Sequence, residues 1–384
     1  MAQQRNGREE MQRNRRSLTT WSMALALTLG TLMAAGQLRA ADKPEVAPYG
    51  FVLVNAGYNT DDANPVDIPV TAGGDDEKTF LVTPRQTRFG LKMGGTEALG
   101  AKVAGIVEMD FFGLTGSGAA GGVTQSALRL RRAFVKLDWV NTSVLVGQEW
   151  VCFAPLSPNT LAHVAIPGVS GSGNLWNRLP QVSLERRMGK AKVNVGLVRP
   201  LAADLPVDQL RTQTDVAGAG EKKGLPFFQG RVGISPSSLV TVGASVHFGK
   251  LEVADDNDQT FAAAVDLAVQ SGALGVQAEG FTGEGTGMLF SQAGRGVATQ
   301  GGWAQASYKI DKTTCSAGFG LETLDEDDVA AGALSQNQTL FANAVHAAGT
   351  NVNLGVEAGY ITTSFKGGDD QTNLNINLAL QYVF

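Results

Sequence analysis

The chain has 384 residues, 48 of them glycine, with a formal net charge of −5 and a mean hydropathy of −0.02. The acidic balance excludes nucleic acid as a partner, and two cysteines as far apart as Cys152 and Cys315 exclude a disulfide framework. The mean hydropathy does not separate a soluble protein from a membrane barrel, because alternating lipid-facing and water-facing residues give the same average.

Residues 1–40 read as a Sec-type signal peptide. Arg5, Arg8, Arg13, Arg15 and Arg16 form a basic stretch, the segment 21–36 is apolar and uncharged, and Leu38 and Ala40 suit cleavage after Ala40. The apolar stretch is short for a membrane span. The basic stretch is long, which leaves Met11 as an alternative start. Removing residues 1–40 takes away six Arg and two Glu, so 31 basic and 36 acidic residues become 25 and 34, a net charge of −9.

Over 41–384, alternation of apolar and polar residues predicts sixteen strands. They lie near 48–60, 84–95, 100–112, 126–138, 142–150, 179–188, 190–200, 226–235, 239–248, 259–271, 273–283, 299–311, 313–324, 336–348, 350–365 and 371–384. Seven connections are short: 96–99, 139–141, 189, 236–238, 272, 312 and 349. Gly, Pro, Asn, Asp, Ser and Lys dominate them, as tight turns require. Eight are long: 61–83, 113–125, 151–178, 201–225, 249–258, 284–298, 325–335 and 366–370. Long and short connections in alternation, with both chain ends on one side, are the layout of an all-β fold: a transmembrane antiparallel β-barrel of about sixteen strands.

The faces can be assigned strand by strand. Val103, Val107, Met109 and Phe111 are expected to face lipid, with Glu108 and Asp110 inward. Val182, Leu184 and Met188 oppose Gln181, Ser183, Glu185 and Arg187, and Phe228, Val232 and Ile234 oppose Gln229 and Arg231. Charges avoid the lipid face because they cost about 2–4 kcal/mol there. The strand near 126–138 breaks the rule, since Arg129, Arg131 and Arg132 cannot share one face of a regular strand. A bulge, or a position above the lipid boundary, would resolve this.

The loop 151–178 is the candidate constriction. Pro155, Pro158, Pro167 and several glycines suit a compact loop that folds inward. Besides Cys152 its ionisable side chains are His163 and Arg178, and it has no carboxylate. The wall brings Arg85, Arg88, Lys92, Arg129, Arg131 and Arg132. Facing an uncharged loop, these would form a positive eyelet that favours anions. Paired with Glu108, Asp110, Glu149 and Glu185, they would only stiffen the wall. The pore-lining set is therefore Arg88, Lys92, Glu108, Asp110, Arg129, Arg131, Arg178 and Arg187. Acid clusters such as Asp61-Asp62, Asp75-Asp76-Glu77, Asp255-Asp256 and Asp325-Glu326-Asp327-Asp328 fall in expected external loops. There they would be solvated, or would bind divalent cations that bridge to lipopolysaccharide phosphates.

The chain closes on Leu374, Ile376, Leu378, Leu380, Tyr382 and Phe384 on one face, with Asn373, Asn375, Asn377 and Gln381 on the other. Phe384 resembles the terminal aromatic read by the outer-membrane assembly machinery. Further segments carry a family resemblance: Tyr49-Gly50-Phe51; Arg88-Phe89-Gly90-Leu91-Lys92 through Glu108-Met109-Asp110-Phe111-Phe112-Gly113; and Leu128-Arg129-Leu130-Arg131-Arg132-Ala133-Phe134 with Gly147-Gln148-Glu149-Trp150 and Leu179-Pro180-Gln181. Over about 48–200 the chain resembles trimeric outer-membrane porins of the DcaP-like group. The resemblance implies a sixteen-stranded barrel, homotrimers and passive uptake of small hydrophilic solutes, with dicarboxylates prominent. It also places Arg88, Arg129 and Arg131 on a basic wall. Members of that group can carry a coiled coil ahead of the barrel, whereas about seven residues separate Ala40 from the first strand here.

An enzyme needs a catalytic set, and His163, His247 and His346 sit in no nucleophile motif. A secreted β-rich binding protein would explain the signal and the strands, but not the strict loop alternation or the terminal aromatic. The expected function is an outer-membrane diffusion channel with a preference for anions such as dicarboxylates. A non-selective general-diffusion pore is the alternative. No cofactor and no metal are implied.

Overall fold

Strands whose faces differ in polarity bury the polar face only if the sheet closes on itself, and that is the arrangement found. The computed structural model describes residues 43–74, 76–113, 126–201, 217–253 and 256–384. The signal peptide expected over 1–40 lies outside the described residues, as do Asp75, Asp255 and most of the loops expected at 113–125 and 201–225.

The strands are β1 (Glu45–Asn59), β2 in two pieces, β2a (Thr79–Thr83) and β2b (Arg88–Ala98), β3 (Ala101–Gly113), β4 (Ala127–Asp138), β5 (Thr142–Trp150), β6 (Arg178–Met188), β7 (Ala191–Val198) and β8 (Phe227–Ile234). They continue with β9 (Val240–Val253), β10 (Asp256–Ser271), β11 (Leu274–Glu284), β12 (Ala298–Ile310), β13 (Thr313–Leu324), β14 (Leu334–Ala347), β15 (Val352–Phe365) and β16 (Gln371–Val383). Each pairs antiparallel with the next, and β16 returns to β1 from Phe51↔Val383 to Asn59↔Asn375. The barrel is closed with sixteen spanning strands, and closure removes every sheet edge.

Both pieces of β2 lie against β1, β2b over Glu45↔Gly94 to Phe51↔Arg88 and β2a over Asn55↔Thr83 to Asn59↔Thr79. Between them the chain leaves the ladder at Pro84, which has no N–H to donate. The strand expected from 84 thus starts at Thr79 and is interrupted at 84–87. A second departure concerns the loop expected at 249–258. There β9 and β10 stay paired up to Val253↔Asp256. The alternation of β9 runs on through Lys250, Leu251 and Glu252, with Leu251 buried and its neighbours exposed. A ribbon that continues past the lipid boundary carries charges at little cost.

Turn chemistry follows the hairpin rule. Gly189 and Gly272 take φ of 61° and 57° in their short turns, a conformation with no Cβ penalty for glycine. The expected faces are observed. Val182, Leu184, Val232, Ile234, Ile376, Leu378 and Leu380 are exposed, whereas Asn55, Gln229, Asn373 and Asn377 are buried.

The arginine-rich strand is resolved by a bulge. Glu108 pairs with Arg132 but Met109 pairs with Leu130, so Arg131 is the extra residue. Parity flips there. Leu128, Leu130 and Val135 are exposed on the outer face, and the three arginines turn inward. Gln148 of β5 donates to the Leu130 and Arg131 carbonyls at 2.9 and 3.0 Å, which satisfies groups the bulge frees from the ladder.

Candidate functional site

The loop 151–177 leaves β5 and returns at β6, and its course is set by the wall. Ala154 N donates to Ser245 Oγ on β9, Leu156 N to Glu279 Oε1 on β11 at 2.8 Å, and Asn159 N to Gln305 Oε1 on β12 at 2.8 Å. Asn343 Nδ2 on β14 donates to Asn159 O at 2.8 Å, and Thr160 Oγ1 donates to Glu357 Oε2 on β15. Asn55 Nδ2 on β1 then reaches Leu161 O at 2.9 Å, and Arg129 Nη2 on β4 reaches Ala165 O at 3.0 Å. A buried loop would otherwise carry unpaired backbone groups. Here polar side chains from the wall supply the partners one after another. Gly173, at φ 95°, passes so close to β12 and β13 that a Cβ would overlap the Gly302 and Leu321 carbonyls.

The arginine wall faces the same space. Arg129 holds both oxygens of Asp110 at 3.0 and 2.7 Å. Arg131 bridges Glu108 at 3.0 Å and Asp110 at 2.7 Å, and its side chain has no exposed surface. Arg132 holds Glu149 through two bonds of 2.7 and 2.5 Å. Arg88 lies 3.8 Å from Glu108, which also accepts from Tyr49 Oη at 2.9 Å, and Arg85 pairs with Asp67 at 2.7 Å. Arg178 differs. Its guanidinium carbon sits 4.5 Å from the Trp150 ring centre and 4.9 Å from that of Trp176. It has no ion pair among the described residues, and its Nη1 has no hydrogen-bond partner.

Arg88, Glu108, Asp110, Arg129, Arg131 and Arg178 are therefore brought to one region. Lys92 lies apart, exposed, with Nζ 4.6 Å from the Tyr49 ring centre. Arg187 also lies apart. It pairs with Asp138 at 2.8 Å and Glu185 at 2.9 Å and donates to Trp139 O at 2.8 Å, so it ties down the short turn after β4.

Sequence reasoning missed three things. The loop lacks carboxylates, but wall carboxylates Glu279 and Glu357 press on it. Glu357 lies 3.7 Å from His163 Nε2. Burial holds the His163 imidazole below its ordinary value, with Glu357 opposing, and burial pushes the Cys152 thiol up to about 11. Second, two other loops also fold inward. Ile68, from the loop 60–78, packs with Ala165, Ile166 and Trp176. In the loop 285–297, Phe290 stacks on Trp176 at 3.9 Å, Leu289 O accepts from Trp176 N, and Glu322 accepts from Gln292 N and from the Ser291 hydroxyl. Third, Gln86 and Asn55 anchor the loop. Pro84 was the one local signal of an irregular strand there. Among the described residues no group of His, Cys, Asp and Glu could hold a metal ion.

A family model described as Gram-negative porin matches residues 22–366. No protein of curated function matches the sequence. Among solved structures, the outer-membrane channel DcaP of Acinetobacter baumannii superposes with a TM-score of 0.71 at 21% identity, covering 89% of this chain and 97% of that one. OmpF of Salmonella typhi, solved with daunomycin, gives 0.60 at 12% identity over 88% and 97%. OmpT of Vibrio cholerae, in a trimer form, gives 0.56 at 12% identity over 89% and 100%.

Proposed function

The chain belongs to the Gram-negative porin family of outer-membrane channels, and from that premise we propose that it forms a homotrimer of diffusion pores favouring small anions, dicarboxylates among them. The observation that carries the preference is the charge count on the arginine side of the loop. There six guanidinium groups, those of Arg85, Arg88, Arg129, Arg131, Arg132 and Arg178, face four carboxylates, those of Asp67, Glu108, Asp110 and Glu149, a local excess of two positive charges, while Glu279 and Glu357 meet the loop from other strands of the wall. Fixed positive charge in a narrow aqueous passage enriches anions. Solute enters at the long-loop end, passes the constriction that the loop 151–177 and the arginine wall form together, and leaves at the short-turn end. No bond is made or broken, and binding stays weak enough for exit.

One observation favours a second reading, a weakly selective general pore. Arg129, Arg131 and Arg132 each close onto a carboxylate within 3.0 Å, so much of the wall charge is neutralised internally. The outward apolar face is proposed to meet lipid, lipopolysaccharide and neighbouring copies, and Phe384 to be read by the assembly machinery. The deciding measurement is the reversal potential in a salt gradient, for the wild type and for Arg178→Gln. Anion preference that weakens in the variant supports the first reading. A reversal potential near zero in both supports the second.

A further inference from the structure

The geometry points to Gln86 as the residue that sets the width of the constriction, a positioning residue that acts on permeation through the loop. This rests on the loop 151–177 bordering the permeation path. The Gln86 side chain makes four hydrogen bonds. Its Nε2 donates to Ala162 O at 2.7 Å and to Asn55 Oδ1 at 2.9 Å. Its Oε1 accepts from Val164 N at 2.6 Å and Ala165 N at 2.9 Å. An amide has two N–H donors and two lone pairs. The hydrogen-bonding capacity of Gln86 is thus fully used, three parts on the loop and one on the wall, in a side chain that is 1% exposed.

The wall is broken to place this amide. Between β2a and β2b the chain turns inward over 84–87, closed by Thr87 N donating to Pro84 O at 2.9 Å. Such a gap would orphan ladder groups on both neighbouring strands. On the β1 side the Thr87 hydroxyl accepts from Leu53 N at 3.1 Å and donates to Leu53 O at 3.2 Å. On the β3 side Arg85 O accepts from Phe111 N at 3.2 Å. The excursion therefore leaves these neighbouring groups paired, and it turns one amide inward.

The same short segment also carries fixed charge. Arg85 and Arg88 flank Gln86, and Arg88 Nη2 donates to Val164 O at 3.1 Å. One break in the wall thus holds both the loop at 162–165 and two of the cations facing it. The position of the loop relative to these charges is set locally, at the break between β2a and β2b. Asn at position 86 would be one methylene short. Leu would fill the volume but leave the Val164 and Ala165 N–H groups to water, freeing this part of the loop.

The test uses the full-length protein in planar bilayers, with assembly checked by heat-modifiable gel migration. Gln86→Leu is expected to raise single-channel conductance and open-channel noise and to move the anion-to-cation permeability ratio toward one. Gln86→Glu keeps an acceptor for Val164 and Ala165 and is expected to fall between wild type and Gln86→Leu in noise. It carries the readout if the Leu variant does not assemble. A separate arm places Val164→Cys in a Cys152→Ser, Cys315→Ser background and applies a charged methanethiosulfonate reagent. Block by the reagent supports a loop that borders the passage. No block overturns that reading and this proposal together. Block combined with wild-type conductance, noise and selectivity in an assembled Gln86 variant overturns the role of Gln86 alone.

Discussion

Arg129 and Arg131 sit two residues apart and are expected to behave differently when changed. The Arg131 guanidinium has no exposed surface and bridges Glu108 and Asp110, whereas a quarter of the Arg129 side chain is open to the lumen. Removing Arg131 leaves two carboxylates short of a buried partner, and breaking a buried pair costs about 3–5 kcal/mol. Arg131→Gln should therefore lower the temperature at which the barrel unfolds on gels, and shift selectivity less than Arg129→Gln in channels that do assemble. Arg129→Gln should instead move the reversal potential. The reverse pattern would mean that Arg131 faces water. His163 offers a pH test. Burial holds its imidazole below the ordinary histidine value, with Glu357 opposing, so the freed loop binds a proton more readily than the docked one, and docking weakens as pH falls below that ordinary value. Open-channel noise should rise from pH 7.5 to pH 5, about the span over which histidine titrates, and His163→Gln should abolish the rise. Noise that is equally pH-dependent in the variant would assign the effect to another group. Phe384 closes the seam. Its N–H donates to Gly50 O at 3.0 Å, its carbonyl accepts from Gly50 N at 3.1 Å, and its ring lies over Gly50. Deleting Phe384 should lower outer-membrane levels, and Phe384→Leu, which keeps the backbone bonds, should assemble almost normally. Normal assembly of the deletion would remove the residue from both roles.

Strands and loops differ in how much of them the sequence discloses. The sixteen-strand rhythm was legible because alternation and turn chemistry are local: the residues 313–324 and 142–150 carry their own pattern and their own bounding turns. The bulge at Arg131 was half legible, since three arginines in four positions contradict a regular strand. The destinations of the loops were not legible. Asn337 donates to Val70 O and Gly171 O at 2.9 and 3.0 Å, joining segments 267 and 166 residues away. No window of sequence shows such a pairing. For the same reason the segment 284–298 read only as a long connection, although Phe290 stacks on Trp176 and the Glu322 carboxylate holds its far side. That stack gives a test at the scale of the element. Phe290→Ala should free the loop and speed tryptic cleavage after Arg295, a residue tied down by Asp258 at 3.2 Å. Cleavage at the wild-type rate would show that Glu322 alone suffices to hold the loop.

At the scale of the molecule, the charge is distributed against its own average. Without residues 1–40 the chain carries a net charge of −9, yet the arginine side of the loop 151–177 carries two more guanidinium groups than carboxylates. A pore that sensed the whole protein's charge would favour cations, and one that senses the local wall would favour anions. Salt separates these cases. The screening length is about 10 Å at 0.1 M and about 3 Å at 1 M, so distant charges fade first and charges at the passage persist longest. The anion-to-cation permeability ratio should therefore exceed one at both salt levels and be larger at the lower. Replacing Arg85, Arg88 and Arg178 together with Gln should reduce it mainly at low salt. Succinate flux should fall further than glucose flux in that variant, because a dianion feels the local field and a neutral sugar does not. If reversal potentials are unchanged by the triple replacement, these three guanidinium groups lie outside the field that the solute feels. Passage would then be decided by width, which the loop and its anchors on the wall determine.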